Sequence, residues 1–382
     1  MKMKRLFILM AAAAILAIGC KKESGEVTVP LPEDGYFTLE DVSRLLGAVS
    51  IGREQVGEVH DAVSASARNG YDNEYLMRDV FASPGAGIGE SVESKAGARY
   101  EKPLRELLRE AVAGTKASGG GNADFLDALA ESDVQIYWPF PENWDGKQMP
   151  VVTFDPGDFS ETNWGYTPSG EKVLVDEQMA SERPVWVVSR NADAEYTSLE
   201  MLRRQDPSWG QGGGELLVGR SKAGSDLRTL VLRSFKANRH YDSWFAGASE
   251  FFVKVGSVED FTASTEPELR VYQPLVTDFM IVVRRTQIKQ VLPFNAILIS
   301  DWVEGLQNCA FMIIEDDGGT RTSWKASATV KYNSKNYGVE IDLPINQRDD
   351  IVWRGLFARD FIEKYSGKTV TLGDVEVVLE LI

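Results

Sequence analysis

Apolar residues recur every three or four positions in the first third of the chain, a spacing typical of amphipathic helices. Thr38 begins a capping pattern before the first of these helices. Pro103 fits the first turn of a second helix, and Gly114 fits its end. Asn122 stands where a third helix would be capped. The pattern therefore predicts a helical region over residues 36–130.

After residue 130 the pattern changes to short apolar runs separated by Pro, Gly and Asn, which favours strands. We predict a mixed α/β region over residues 131–245, in which the apolar run Pro184–Val188 is buried on both faces. Residues 246–382 contain further short runs, with hairpin turns expected at Asp317–Gly319 and Asn333–Asn336. The predicted fold class is α+β: a helical N-terminal region, a mixed middle region and an antiparallel β-sandwich C-terminal region.

The first twenty residues have the order of an export signal: three basic residues, the apolar run Leu6–Ile18, and the small residue Gly19 before Cys20. The apolar run has 13 residues, fewer than the roughly 20 that a transmembrane helix needs. Its end, Leu16–Cys20, resembles the lipobox of bacterial lipoproteins, with Ala17 where those proteins usually have leucine. The resemblance implies a signal peptide over residues 1–19 and acylation of Cys20, which attaches the chain to the membrane.

Charge argues against one large class of partners. The chain carries a formal charge of −16, and removal of the three basic residues of the signal leaves −16 − 3 = −19. Nucleic-acid binding needs clustered Lys and Arg, so DNA and RNA are not expected partners.

Residues 20–35 are polar, with Pro30 and Pro32, and are typical of a tether. We expect a protein lipid-anchored to the outer membrane, on the periplasmic side or at the cell surface.

The chain lacks the common catalytic and zinc motifs. It has two histidines, His60 and His240, and no HExxH, paired CxxC or GxSxG sequence. Once Cys20 is acylated, Cys309 has no disulfide partner, and its apolar neighbours favour a buried thiol over a nucleophile. The glycines of Ser83–Gly89 follow no predicted strand, so a loop is favoured over a phosphate site.

Acidic residues suggest two kinds of site. The first is a calcium site, for which we name Asp316 and Asp317, next to Glu315 at the end of a predicted strand, and Asp349 and Asp350 in a later loop. Calcium takes six to eight oxygen ligands, and C2-type sandwiches bind it with acidic loops at one end. The Asp-x-Asp spacing of those domains is missing, and solvated turn acids are the competing interpretation. No other cofactor is expected.

The second is a carboxylate pair able to hydrolyse glycosides. The acids at strand ends of the middle region are the candidates: Asp155, Asp158, Asp176 and Glu177. Four tryptophans beside turns could also form a platform for sugars or a partner protein, namely Trp138, Trp144, Trp164 and Trp209. Trp186 and Trp302 lie inside apolar runs and are expected in the core.

Three segments, Asp133–Pro139, Arg183–Val188 and Gly247–Phe252, make the chain similar to uncharacterised lipoproteins of Bacteroidota with a helical N-terminal part and a β-rich, C2-like C-terminal part. That family has no assigned activity, so the resemblance implies only location and architecture. The leading hypothesis is a non-catalytic binding or structural protein of the cell envelope, attached to the membrane through Cys20, with a glycan or an envelope protein as its partner. The alternative is a carboxylate-dependent glycan hydrolase.

Overall fold

The computed structural model describes residues 37–82, 100–114, 121–157, 160–191, 196–205, 228–258, 275–302, 305–317, 320–332 and 334–382. The helices are α1 Leu39–Ala48, α2 Arg53–Arg68, α3 Met77–Phe81, α4 Leu104–Gly114, α5 Gly121–Ala130, α6 Glu177–Glu182, α7 Leu199–Gln205 and α8 Arg359–Tyr365. The strands are β1 Glu74–Leu76, β2 Val134–Tyr137, β3 Val151–Phe154, β4 Thr162–Tyr166, β5 Lys172–Asp176, β6 Val185–Arg190, β7 Arg228–Ala237, β8 Ser249–Ser257, β9 Leu275–Val283, β10 Leu292–Trp302, β11 Leu306–Glu315, β12 Arg321–Tyr332, β13 Lys335–Asn346, β14 Asp350–Ala358, β15 Lys368–Leu372 and β16 Val375–Leu381. The α+β class is confirmed. None of the described helices is long and apolar enough to cross a membrane.

The ends of α1 and α4 follow the capping signals of the sequence, whereas α5 begins at Gly121, so the predicted cap Asn122 lies inside the helix. Thr38 caps α1, because Asp41 N donates to Thr38 Oγ1 (3.2 Å) and Thr38 N donates to the Asp41 carboxylate (2.9 Å). Helix α4 runs from Leu104 to Gly114, as Pro103 and the glycine predict. The apolar faces of these helices share one core with the first sheet.

The first sheet has six strands in the order β1-β2-β6-β3-β4-β5, with β3 parallel to β6 and the other neighbours antiparallel. Strand β6 is buried on both faces, as predicted. Trp186 and Val188 pack under the helices, while Val185 and Val187 face a second cluster with Trp244.

The C-terminal part is an antiparallel β-sandwich. One sheet has the order β10-β7-β16-β15, and the other has the order β13-β12-β11-β8-β9 with β14 paired to β11. A single apolar core, which includes Phe235, Phe311 and Trp302, joins both sheets. The predicted hairpin after residue 332 is present, since Tyr332 pairs with Lys335. Strand β7 pairs with β10 and β16 although its residues precede position 246.

The connection between β7 and β8, residues 238–248, joins the first sheet to the sandwich. Trp244 and Phe245 are buried in the second cluster of the first sheet, and Trp244 Nε1 donates to Glu161 O (2.9 Å). Asp72, between α2 and β1, accepts from Ala248 N (2.8 Å) and Asn73 N (2.7 Å). These contacts fix the connection against the first sheet, and the Tyr241 ring packs on Phe251 of the sandwich with 5.6 Å between centroids.

Candidate functional site

An acidic cavity of about 250 Å³ lies where the first sheet meets the sandwich. Its wall combines side chains from β1, β2 and the ends of β3 and β6 with side chains from the 238–248 connection, β8 and the end of β11. Seven of the lining residues are acidic: Asp72, Glu74, Asp155, Asp242, Glu250, Asp316 and Asp317. The single basic residue of the described wall is Arg190. The wall is therefore strongly negative.

Three carboxyl groups meet at the sandwich side of this cavity. Oxygens of Asp242, Glu315 and Asp317 all lie within 4.8 Å of one another. Glu315 is 0% exposed. It hydrogen-bonds with the carboxyl group of Asp242 when one of the two is protonated, and neither of its carboxylate oxygens has an N–H or hydroxyl donor among the described residues. Asp242 Oδ2 also has none. Buried polar atoms normally have partners, so Glu315 and Asp242 are poorly satisfied in this structure.

The electrostatics of the carboxylate trio favour uptake of a proton or a cation. Burial, followed by the neighbouring Asp242, raises the pKa of Glu315 to about 11. Burial and Asp242 also raise the pKa of Asp317 to about 6. The pKa of Asp242 is raised as well, chiefly by burial. At neutral pH the trio therefore keeps a proton between Asp242 and Glu315 unless a cation replaces it.

Strand β11 places Glu315 inside the protein. The residue continues the buried run Ala310–Ile314 and lies opposite Phe251 of β8 and Asp350 of β14. Its side chain shares a face of β11 with Ile313, because side chains alternate along a strand. The sequence signal for this site was the run of three acids, Glu315 to Asp317, at the end of an apolar segment. Asp242 comes from the 238–248 connection, where the sequence carried no signal.

The predicted calcium ligands are divided between two places. The ends of β11 and β14 do lie side by side, but only Asp317 joins the carboxylate trio. Asp316 and Asp349 instead meet around Asn346, whose Nδ2 donates to Asp316 (3.1 Å) and whose N donates to Asp349 (2.6 Å). Both carboxylates also line a cavity of about 130 Å³. Asp350 is exposed and acts on the trio through its charge.

The predicted hydrolase carboxylates are divided between two cavities: Asp176 and Glu177 both line a cavity of about 490 Å³, apart from Asp155. Asp155 lines the acidic cavity. Asp176 caps α6 by accepting from Met179 N (2.8 Å). Glu177 is paired with the buried Arg285 guanidinium (2.7 Å). Asp158 lies outside the described residues, as do Cys20 and the glycines of 85–89.

The loop tryptophans do not form a platform in the described residues. Trp138 is 0% exposed and packs on His60, Trp144 and Trp186. Trp164 is 49% exposed on β4, while Trp209 lies outside the described residues. Trp186 and Trp302 are buried, as predicted.

His240 and the thiol of Cys309 are structural. Burial lowers the pKa of His240 to about 4, and its Nε2 lies 3.3 Å from Arg285 O. Cys309 is 0% exposed, and burial raises its thiol pKa to about 12. Both groups are therefore neutral at pH 7.

Comparisons of the chain with protein-family models, with curated proteins and with solved structures give no match.

Proposed function

We propose that this protein is a lipid-anchored binding protein of the cell envelope that holds a divalent cation, of the calcium type, at Asp242, Glu315 and Asp317. The proposal rests on the buried carboxylate of Glu315. Its two carboxylate oxygens are fully buried, have no N–H or hydroxyl donor among the described residues and lie close to two further carboxyl groups. A cation supplies the missing partner to all three groups at once.

The spacing of the oxygens suits calcium. Ca²⁺–O distances of about 2.3–2.6 Å allow two oxygens on one ion to lie up to about 4.6–5.2 Å apart. The trio spans at most 4.8 Å between its chosen oxygens, so one ion can reach all three without a change of the fold. Calcium accepts bidentate carboxylates, and Glu315 has both oxygens available. Zinc would favour nitrogen or sulfur ligands.

Burial favours binding over hydrolysis for these residues. A general acid or nucleophile must touch its substrate, whereas Glu315 has no exposed surface. A residue that binds a metal ion needs to touch only the ion, which can lie inside the wall of the cavity. Asp242 and Asp317 then connect the ion to the acidic cavity, which both residues line.

The anchor rests on the N-terminal sequence. The export pattern ends at Cys20, and residues 20–35 provide a polar tether before the first described residue, Phe37. Anionic lipid repels a body with a net charge near −19, so the acyl chains on Cys20 provide the attachment.

Calorimetric titration tests the cation site. The mature chain, purified without its signal peptide and treated with EDTA, should bind Ca²⁺ at one saturable site and unfold at a higher temperature when calcium is present. Glu315→Gln should remove both effects. Glu340→Gln is the matched control, since that side chain is 70% exposed and pairs with Lys325. An unchanged unfolding midpoint of the wild-type protein in millimolar calcium would overturn the proposal.

A further inference from the structure

The acidic cavity contains a buried acceptor that points to a second ligand. Asn191 lines the cavity and is 5% exposed. Its Nδ2 donates to Glu74 Oε2 (2.7 Å) and to Gln135 Oε1 (2.8 Å). An amide nitrogen carries two hydrogens, so both are used. Asn191 Oδ1 has no partner among the described residues and requires a donor.

The orientation of this amide follows from its neighbours. If the amide of Asn191 were flipped, its oxygen would face the Glu74 carboxylate, and two acceptors would meet. Gln135 is engaged at its other end, where Nε2 donates to Ser189 Oγ (3.2 Å). Asn191 therefore offers no N–H group to the cavity, and Gln135 keeps one N–H beyond its bond to Ser189.

The charged groups near Asn191 add acceptors. Asp155 accepts from Gly157 N (3.0 Å), and no Lys or Arg of the described residues forms an ion pair with it. The Arg190 guanidinium is paired with Asp133, and its side chain is 59% exposed. A ligand of this wall must be rich in donors and positively charged.

We propose that the acidic cavity binds a short aliphatic diamine, with one ammonium group on Asn191 Oδ1 and Asp155 and the other near Asp242. An ammonium group donates three hydrogen bonds and accepts none, which matches this wall. A sugar hydroxyl both donates and accepts, and the seven acidic side chains of the wall offer it acceptors only. The volume of about 250 Å³ lies below the roughly 300–1,000 Å³ of sites for drug-sized ligands, so the ligand is small.

The diamine site stands independently of the cation site. It rests on Asn191 and Asp155, which are not members of the carboxylate trio. Asp242 and Asp317 belong to both surfaces, so a bound Ca²⁺ would repel the second ammonium group. Calcium should therefore weaken diamine binding, and the diamine should weaken calcium binding by the same factor.

The test is a titration of the metal-free mature chain with 1,4-diaminobutane at about 0.15 M salt, where diffuse attraction to the acidic surface is screened. Saturable binding is expected for the wild-type protein. Asp155→Asn should weaken it about tenfold or more, because a charge-assisted hydrogen bond is lost. The asparagine oxygen can still accept from Gly157 N, so the fold is preserved. Glu340→Gln removes one exposed charge and should leave binding unchanged.

Two further measurements separate the proposals. The uncharged 1,4-butanediol should not bind. The inference would be overturned if the diol bound as tightly as the diamine. It would also be overturned if the diamine did not bind, or if Asp155→Asn left diamine binding unchanged. Glu315→Gln should abolish the calcium response and keep diamine binding. Asp155→Asn should keep the calcium response. Failure of one site is thus distinguishable from failure of the other.

Discussion

Replacement of Glu315 by glutamine should flatten the pH dependence of stability in the metal-free protein. Burial and Asp242 raise the pKa of Glu315 to about 11, from an ordinary value of 4.5. The native state then keeps a proton that the unfolded chain releases. Because the native state binds more protons, the free energy of unfolding falls as pH rises, by up to about 1.4 kcal/mol per pH unit for one proton. Glutamine has no such proton.

A window between about pH 7.0 and about pH 8.5 isolates Glu315, and the expected difference across it is up to about 2 kcal/mol. The pKa of His240 is lowered to about 4 from 6.5, so it affects stability only below this window. Asp317, raised to about 6, acts below it too. Cys309, raised from 9.0 to about 12, acts mainly above it.

Urea unfolding in EDTA, followed by tryptophan fluorescence at both pH values, measures this difference. The wild-type protein should lose up to about 2 kcal/mol more than Glu315→Gln, and Glu340→Gln should follow the wild type. Equal slopes for the wild type and Glu315→Gln would refute the reasoning. Calcium must displace the proton, so its stabilising effect on the wild type should be larger at the higher pH.

Three further outcomes are expected. Gly256→Ala should destabilise the sandwich by about 1–3 kcal/mol, because a Cβ at this position would lie 2.4 Å from Ile341 Cγ2. Gly114→Ala is the control in the same urea assay, because a Cβ at Gly114 would have no atom within 4 Å. Cys309 should resist thiol reagents in the native protein and react once urea unfolds it, because it is buried. Cys20→Ala should move the protein from the membrane fraction to the soluble fraction, as an immunoblot would show.

Much of the fold was predictable because burial follows the apolar pattern. The run that became β6 is buried on both faces, and the runs that became β8 and β11 lie in the sandwich core. Strands β1, β4, β14 and β15 were not predicted, and β1 lies inside the region expected to be helical. Strands β4 and β14 show the reason. Their sequences, TNWGY and DIVWRGLFA, are half exposed, and their strand conformation depends on pairing with β3, β5 and β11.

The site was less predictable, because its parts come from distant segments. Acids at the end of β11 suggested a cation, and the pairing of β11 with β14 brings the two predicted acidic segments to one end of the sandwich. Asp242 and Asn191 lie 73 and 124 residues before Glu315 in the chain, and no local pattern connects them. Only the packing of residues 238–248 against Asp72 brings these polar groups to one cavity.

Glu315→Met should reverse the order of stability between metal-free and calcium-bound conditions. In EDTA the buried glutamate has only the carboxyl group of Asp242 to share a proton with. A buried polar group left without its full set of partners costs roughly 1–3 kcal/mol, and methionine fills a similar volume without a polar atom. The variant should therefore be more stable than the wild type. Calcium at about a hundred times its dissociation constant stabilises only the wild type, by about 2.7 kcal/mol. Urea unfolding with and without calcium should show this crossover. If the variant were less stable than the wild type both in EDTA and in calcium, the glutamate would be held by packing alone. A cation ligand must behave otherwise, because burying its carboxylate is unfavourable until the cation binds.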